Sequence, residues 1–301
     1  MTKELLQAYF EMTKPRIMSL VLVTTVMGFY FAKVTIPLPG SSMNSVSHFP
    51  EVGWSLIWTL LGTALTCGGA AVLNQYLERD VDALMQRTKN RPLPLGIISP
   101  VQALEFGILL ILVGLALLCW KVNLLTAFLS LLTCFLYVLV YTPMKRISWL
   151  NTTIGAIPGA IPPMGGWAAA TNGLDFGAWV LFMILFTWQH PHFYAIAWIY
   201  KEDYGKAGFK MLPVVYPDGR LTFSQILAFT FALIAFSIMP SMIGMSGQIY
   251  FWGALALGLG FLYCGWLFRR SQSVLNARKV LGASVIYLPL LLLLLIVDVV
   301  I

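Results

Sequence analysis

The stretch WSLIWTLLGTALTCGGAAVLNQY, residues 54–76, runs directly into LERDVDALMQRTKNRP, residues 77–92. The first part is apolar and long enough to cross the roughly 30 Å of hydrocarbon in a bilayer as a helix. The second part carries acids and bases in close succession, and charged groups are costly inside hydrocarbon. The junction therefore predicts a transmembrane helix that ends at a membrane surface in a charged segment.

The rest of the chain repeats the apolar pattern. The 301 residues are 59% hydrophobic and 10% charged, whereas charged residues form about 25% of a soluble domain. We expect an all-α, polytopic membrane protein that forms a single domain over residues 1–301, with nine transmembrane helices. The predicted segments are 17–32, 54–76, 101–120, 124–143, 150–170, 176–200, 223–243, 250–268 and 280–300.

Lysines and arginines set the predicted orientation because they gather in cytoplasmic loops. With a cytoplasmic N-terminus, all of the 19 lysines and arginines except Lys33 and Lys121 fall on the cytoplasmic side. The net charge of +7 is therefore interpreted as topology, and we expect no nucleic-acid partner. The charged loops after segments two and six face the same side, which predicts two parallel four-helix halves followed by a final helix.

The first residues, MTKELLQAYFEMTKPR, carry Glu4 and Glu11 and lack the apolar core of a signal peptide and the acid-poor bias of a transit peptide. They predict an amphipathic helix on the cytoplasmic surface and favour a bacterial plasma membrane. Residues 33–53 are rich in Ser, Pro and Gly and predict an irregular external connector. The four cysteines lie singly in apolar segments, so zinc and disulfides are not expected.

Three polar side chains follow a helical spacing at the end of segment two. If the helix continues past Tyr76, then Asn74, Glu78 and Asp82 fall within an arc of about 80° on one face, because each residue advances about 100°. Asp80 would point the opposite way. Carboxylate and amide oxygens suit Mg²⁺, which is typically held by one or two carboxylates together with substrate phosphate oxygens. We therefore expect a magnesium site on this face.

Basic residues follow the acids. Arg87, Lys89 and Arg91 could neutralise phosphate oxygens, and guanidinium groups do so through paired hydrogen bonds. The alternative is a solvated cytoplasmic loop that follows the positive-inside bias. Lys145 and Arg146, after segment four, have the same two interpretations: they either bind an anion or anchor the topology.

A second charged cluster follows segment six in YKEDYGKAGFKMLPVV, residues 200–215. Glu202 and Asp203 precede Lys206 and Lys210. The cluster predicts another carboxylate for the metal and two ammonium groups for phosphate. Helix-end capping and solvation of charge are the structural alternative.

Segment six also contains TWQHPHF, residues 187–193, in which Gln189, His190 and His192 are polar groups at membrane depth. Such groups are functional candidates, and Pro191 is expected to distort the helix locally. Either histidine could bind an iron porphyrin, orient a proton transfer, or form a hydrogen bond to another helix.

Together these motifs resemble the UbiA superfamily of intramembrane prenyltransferases, and within it the branch that uses haem as the acceptor. The resemblance spans nearly the whole chain. The matching positions, in chain order, are Asn74, Glu78, Asp80, Asp82, MQRTKNRP (85–92), WQHPHF (188–193), DYGKAG (203–208) and MLP (211–213). Two positions depart from the superfamily pattern. Glu78 stands where an aspartate is more usual, and Ala207 replaces a second aspartate, so we expect one Mg²⁺ rather than two.

The resemblance implies transfer of a farnesyl group from farnesyl diphosphate to the vinyl group of protohaem IX (haem B), with addition of water, to give haem O. The implied catalytic and metal-binding residues are Asn74, Glu78, Asp82 and Asp203. The implied diphosphate-binding residues are Arg87, Arg91, Lys145, Lys206 and Lys210. The implied haem-binding residues are Gln189, His190 and His192. Aromatic candidates for stabilising an allylic cation are Tyr76, Tyr137, Tyr141 and Trp188.

Two other classes of protein fit parts of the same pattern. A related prenyltransferase that acts on an aromatic acid is the alternative among enzymes, although WQHPHF and Ala207 argue against it. A secondary transporter would also contain intramembrane polar groups, but its carboxylates should lie near the bilayer midplane. The lipid bilayer is the expected environment, and a haem A synthase is a possible recipient of the product.

Overall fold

A computed structural model of the chain describes residues 3–35 and 49–300, and helices form nearly all of this part. The helices are α1 (Lys3–Met12), α2 (Pro15–Thr35), α3 (Phe49–Asp82), α4 (Pro100–Lys121), α5 (Leu124–Phe135), α6 (Thr142–Ile147), α7 (Asn151–Thr171), α8 (Phe176–Ile199), α9 (Lys201–Lys206), α10 (Leu212–Val215), α11 (Arg220–Met242), α12 (Gln248–Ser271) and α13 (Val274–Val300). A π-helical segment, Leu136–Tyr141, joins α5 to α6. The all-α prediction is therefore confirmed for the described residues.

Seven helical spans in the described part are long and apolar enough to cross a membrane: Pro15–Lys33, Gly53–Asp82, Pro100–Lys121, Leu124–Ile147, Arg220–Met242, Gln248–Ser271 and Val274–Asp298. The helices α7 and α8 have 21 and 24 residues, but α7 is rich in Gly and Pro and α8 contains the polar TWQHPHF motif. Both features lower their hydropathy. Nine spans therefore remain a prediction as far as these two helices are concerned.

Two predicted local structures can be compared with the described chain. The N-terminal stretch forms α1, which buries Ala8 and Met12 and exposes Glu4 and Glu11. The predicted irregular connector 33–53 lies mostly outside the described residues, and its described ends are helical.

The chain divides into two compact units. The first contains Met1–Pro143 and Ile161–Ala178, and the second contains Met144–Ala160 and Trp179–Ile301. The end of the first four predicted segments thus coincides with a unit boundary. The predicted fifth segment does not stay in one unit, because α7 contributes residues to both.

Glycines allow α3 and α4 to pack closely in the first unit. A Cβ atom on Gly69 would come within 2.6 Å of the carbonyl oxygen of Gly107, and one on Gly114 within 2.8 Å of the carbonyl oxygen of Gly62. Small residues at helix interfaces permit this kind of backbone approach in membranes. The close packing supports α3, whose last turns carry the acidic residues.

The three last long helices form the body of the second unit, where α12 packs against both α11 and α13. A hydroxyl pair joins α13 to α11, because Tyr287 donates from its hydroxyl to Ser237 Oγ at 2.8 Å. The helix α8 stays continuous through Pro191.

Candidate active site

The helix α3 continues to Asp82 and presents three polar side chains on one buried face. Asn74, Glu78 and Asp82 are 1%, 5% and 0% exposed, whereas the side chain of Asp80 is 79% exposed. Asn74, Glu78 and Asp82 therefore share a face, as their spacing predicts, and Asp80 points away from it. Asp80 lies 3.8 Å from Arg79 at the surface.

The π-helical segment fixes the orientation of the Asn74 amide. The hydroxyl of Thr142 donates to the carbonyl oxygen of Tyr137 at 2.8 Å, so it accepts the hydrogen bond from Asn74 Nδ2 at 3.0 Å. The amide nitrogen therefore faces Thr142, and the amide oxygen Oδ1 points toward a cation. Short π-helical segments are frequent at functional sites, and here the extra residue brings a hydroxyl to the polar face.

The cation at Asn74 is Lys14, a residue that the sequence motifs did not identify. Lys14 Nζ donates to Asn74 Oδ1 at 2.8 Å. Lys14 joins α1 to α2 with a φ of 52°, a left-handed conformation that is uncommon for a residue with a side chain. The linker is held against α3 because Gln75 Nε2 donates to the carbonyl oxygen of Met12 at 2.8 Å. The only sequence signal was a lysine directly before the proline that begins α2.

Asp82 is held by the turn that follows it. Arg91 Nη1 lies 2.6 Å from Asp82 Oδ2, and the hydroxyl of Thr88 donates to the carbonyl oxygen of Asp82 at 2.8 Å. The turn therefore folds back on the end of α3 and brings a guanidinium to the buried carboxylate. Arg87 and Lys89, from the same turn, are exposed.

The donor set on α3 fits a hard divalent cation. The second oxygen of Asp82, Oδ1, is buried and has no hydrogen-bond partner among the described residues. A buried oxygen without a partner is costly, and a metal ion would satisfy it. No group of three His, Cys, Asp or Glu residues in the described part forms a complete metal cage, and Mg²⁺ commonly uses one or two carboxylates with substrate phosphates instead.

The second acidic cluster is placed differently in the second unit. Asp203 is half-buried on the six-residue helix α9, while Glu202 and Lys206 are exposed. Two residues after the helix ends at Lys206, Gly208 has a φ of +69°. Glycine adopts this left-handed conformation at little cost, which lets the chain turn sharply after α9.

A basic pair of this unit is joined through the backbone. The amide of Lys210 donates to the carbonyl oxygen of Lys145 at 2.7 Å, and Asn151 Nδ2 donates to the carbonyl oxygen of Lys210 at 2.9 Å. Lys145 Nζ lies 5.7 Å from the ring centre of Phe209. Two lysines that are distant in sequence are thus neighbours, and Asn151, which sequence reasoning missed, holds them there.

Gln189 and His190 are integrated into helix packing. Gln189 Nε2 donates to the carbonyl oxygens of Ala156 and Leu185, each at 3.2 Å. His190 contacts the carbonyl oxygen of Phe186 at 2.8 Å and Thr153 Oγ1 at 3.2 Å. These contacts give both residues a structural role, and their assignment to haem stays a prediction.

His192 lies in a different environment on the same helix. Its Nδ1 is 2.8 Å from the hydroxyl oxygen of Ser284, and its ring stacks on Trp188 with centroids 4.8 Å apart. His192 is only partly buried, whereas His190 is fully buried. The two histidines of the motif are therefore not equivalent.

The aromatic residues that are candidates for stabilising an allylic cation lie in both units: the three tyrosines in the first and Trp188 in the second. Tyr137 and Tyr141 lie on the π-helical segment with ring centres 5.6 Å apart. The guanidinium carbon of Arg79 lies 4.8 Å from the ring centre of Tyr76, so this ring already faces a cation. Tyr141 directly precedes Thr142, whose hydroxyl accepts from Asn74 Nδ2, and Tyr76 follows Asn74 by two residues.

The helical membrane fold, the buried acid face and the neighbouring cations define a class of intramembrane protein suited to binding a metal and a phosphate group. Residues 20–294 match the UbiA prenyltransferase family. The chain belongs to this family and is a membrane-embedded prenyltransferase.

Relatives agree with this assignment along the whole chain. The chain is 48% identical to protoheme IX farnesyltransferase of Solibacter usitatus, with 96% of this chain and 98% of the relative covered. A structure of digeranylgeranylglyceryl phosphate synthase has a TM-score of 0.78 at 17% identity and covers 99% of each chain. A UbiA homologue from Archaeoglobus fulgidus bound to GPP and Mg²⁺ has a TM-score of 0.67 at 17% identity and covers 98% of this chain and all of its own. The two structural likenesses show that the fold is shared.

Proposed function

We propose that this prenyltransferase transfers a farnesyl group from farnesyl diphosphate to the vinyl group of protohaem IX, with addition of water, to give haem O. The observation that carries the proposal is the buried acid face of α3, with an unsatisfied Asp82 oxygen, in a chain 48% identical to a protoheme IX farnesyltransferase. The family match over residues 20–294 supports a single catalytic domain along the chain.

The first step of the proposal is binding of the diphosphate at the end of α3. Asn74, Glu78 and Asp82 would hold Mg²⁺ through oxygen atoms, as the buried positions of their side chains favour. Bound Mg²⁺ would neutralise charge that grows on the departing diphosphate. Lys14 and Arg91, which pair with Asn74 and Asp82, would then be able to turn toward the phosphate oxygens.

The remaining charged residues are proposed as further ligands because Asp203 matches the second superfamily motif and the basic residues lie in or near the charged segments after predicted segments two, four and six. Asp203 would bind the metal, and the basic side chains would bind the diphosphate. These proposed diphosphate ligands are Arg87, Arg91, Lys145, Lys206 and Lys210. The backbone contact between Lys145 and Lys210 supports a joint role for that pair. As in the haem branch, Ala207 in place of an aspartate supports one Mg²⁺ rather than two.

The second step concerns the allylic cation left by the diphosphate. Such a cation persists only where bulk water is excluded, and aromatic faces stabilise it by about 2 kcal/mol when desolvated. Tyr137 and Tyr141 supply adjacent rings for this purpose. A carbon of the vinyl group then bonds to the farnesyl carbon, and water adds to the neighbouring carbon with loss of a proton. Gln189, His190 and His192 are proposed to form the haem side of the pocket.

The proposal extends to orientation and partners. The N-terminus and the acidic clusters would face the cytoplasm of a bacterial cell, and the protein would lie in the plasma membrane, because nearly all basic residues then fall on the cytoplasmic side. Farnesyl diphosphate and protohaem IX are the substrates. A haem A synthase is the candidate recipient of haem O.

The test uses the full-length protein in lipid nanodiscs with farnesyl diphosphate, Mg²⁺ and haem. We expect mass spectrometry to detect haem O, and we expect chelation of Mg²⁺ to remove the product. A parallel reaction with 4-hydroxybenzoate should give no prenylated acid. Prenylation of the benzoate in place of haem would contradict the proposed acceptor while leaving prenyl transfer intact.

A further inference from the structure

Ser284, on α13, contacts two side chains of the TWQHPHF motif. Its hydroxyl oxygen lies 2.8 Å from His192 Nδ1, and its carbonyl oxygen accepts a hydrogen bond from Trp188 Nε1 at 2.8 Å. Ser284 is fully buried, and the Trp188 and His192 rings are stacked at an interplanar angle of 23°. The imidazole of His192 is therefore held both by a hydrogen bond and by a stacked ring.

The hydrogen bonds of Ser284 determine which nitrogen of His192 carries the proton. The hydroxyl of Ser284 donates to the carbonyl oxygen of Leu281 at 2.6 Å. A serine hydroxyl has one proton, and the shorter of its two contacts assigns that proton to the carbonyl oxygen of Leu281, so Ser284 Oγ is the acceptor in its contact with His192. The imidazole must then donate from Nδ1. In the neutral ring, Nε2 is left with a lone pair.

His190 offers a contrast within the same motif. Its Nδ1 contacts the carbonyl oxygen of Phe186 and its Nε2 contacts Thr153 Oγ1. One face of its ring is covered by Phe229, with centroids 3.5 Å apart and an interplanar angle of 8°. Both ring nitrogens and one face of His190 are therefore engaged in packing. Their contacts therefore distinguish the two histidines of the motif.

We propose that Ser284 is a positioning residue that holds His192 in the Nδ1–H form, so that the Nε2 lone pair binds the iron of the haem acceptor. This inference rests on the proposed function, because it takes haem as the substrate. Histidines that bind a metal usually donate their other ring N–H to a fixed oxygen acceptor. Ser284 supplies such an acceptor, and its own proton is directed away by the carbonyl oxygen of Leu281.

The experiment titrates ferric haem into the full-length protein in nanodiscs and records the Soret band and the electron paramagnetic resonance spectrum. The variants are His192→Ala and Ser284→Ala. Ser237→Ala is the matched control. Ser237 is also a fully buried serine, and its hydroxyl oxygen accepts a hydrogen bond from an aromatic side chain, that of Tyr287. Iron-free protoporphyrin IX serves as a second probe, and binding of a non-hydrolysable farnesyl thiodiphosphate reports that each variant is folded.

We expect an imidazole-ligated spectrum in the wild type and in Ser237→Ala, and loss of this spectrum in His192→Ala. Ser284→Ala should weaken haem binding by about 10-fold. All four proteins should bind iron-free protoporphyrin IX alike, because that probe has no iron to ligate.

Three outcomes would overturn the inference: Ser284→Ala with wild-type haem affinity, His192→Ala with an unchanged imidazole spectrum, or equal loss of both porphyrins in Ser284→Ala. Haem binding by the wild type without an imidazole ligand would also overturn it and would leave the proposed function standing. A wild type that binds neither porphyrin would contradict the proposed function itself.

Discussion

The two acidic clusters have similar sequences of acids followed by bases, but the protein surrounds them differently. On α3 the face that carries Asn74, Glu78 and Asp82 is at most 5% exposed, and Asp82 is paired with Arg91 at 2.6 Å. On α9 the carboxylate of Glu202 is exposed and that of Asp203 is half-buried, on a helix of only six residues. A buried carboxylate is costly unless it is paired, so the fold supplies a guanidinium to the first cluster. The acidic residues of α3 are therefore enclosed by the protein, whereas those of α9 are at least partly accessible.

The largest effect is expected from neutralising the buried acid. Asp82→Asn should lower kcat/KM for farnesyl diphosphate by roughly a thousandfold. The variant lacks a charged oxygen ligand for the metal ion that would neutralise the departing diphosphate in the transition state. Asp203→Asn should lower kcat/KM by about a hundredfold, because the role proposed for Asp203 is to supply one further oxygen ligand to the metal. Steady-state kinetics in nanodiscs would measure both.

Asp80→Asn is the matched control for Asp82→Asn, because both residues are aspartates in the last turn of α3 and only Asp80 is exposed. It should change kcat/KM less than twofold. An Asp80 variant as defective as the Asp82 variant would remove the distinction between the two faces of the helix.

A smaller effect is expected on stability. Arg91→Met leaves the buried carboxylate of Asp82 without its partner and should lower the free energy of unfolding by on the order of 3 kcal/mol. Arg220→Met is the control, because Arg220 lies 3.8 Å from Asp218 in an exposed pair with side chains 90% and 60% exposed. An exposed pair contributes less than about 1 kcal/mol.

Unfolding in mixed SDS and detergent micelles would measure both changes. Added Mg²⁺ should reduce the deficit of Arg91→Met relative to the wild type, because the ion would supply the positive charge that the buried Asp82 carboxylate lacks in the variant. Equal losses of unfolding free energy in Arg91→Met and Arg220→Met would mean that the Arg91–Asp82 pair is no more desolvated than the exposed Arg220–Asp218 pair.

The sequence predicted the acid face of α3 because helical geometry fixes the direction of each side chain. Asn74, Glu78 and Asp82 are spaced by four residues, and their common burial follows from about 100° per residue. The same rule placed Asp80 on the exposed side. Periodic features of this kind need no information about distant parts of the chain.

The contacts that complete the site could not be predicted in the same way. Lys14 reaches Asn74 across 60 residues of sequence, and its approach depends on a left-handed backbone conformation. Thr142 reaches Asn74 because a π-helical segment precedes it. Arg91 was predicted as a phosphate ligand, and its pairing with Asp82 depends on how the turn after α3 folds back. Each contact is set by tertiary packing rather than by local spacing.

Apolar length alone predicted the membrane spans well where the helix is uniformly apolar. The helices α7 and α8 depart from that pattern because Gly and Pro interrupt the apolar sequence of α7, and Gln and His interrupt that of α8. The contrast between His190 and His192 likewise depends on what α7, α11 and α13 present to each ring, which a single sequence does not reveal.

Metal binding tests the central claim most directly. Mn²⁺ would replace Mg²⁺ and be titrated by electron paramagnetic resonance into the wild type, Asp82→Asn and Asp80→Asn, each in nanodiscs with farnesyl thiodiphosphate present. The account predicts one tightly bound Mn²⁺ in the wild type and in Asp80→Asn, and loss of that site in Asp82→Asn. Unchanged Mn²⁺ binding in Asp82→Asn would contradict the assignment of the buried face of α3 as the metal site.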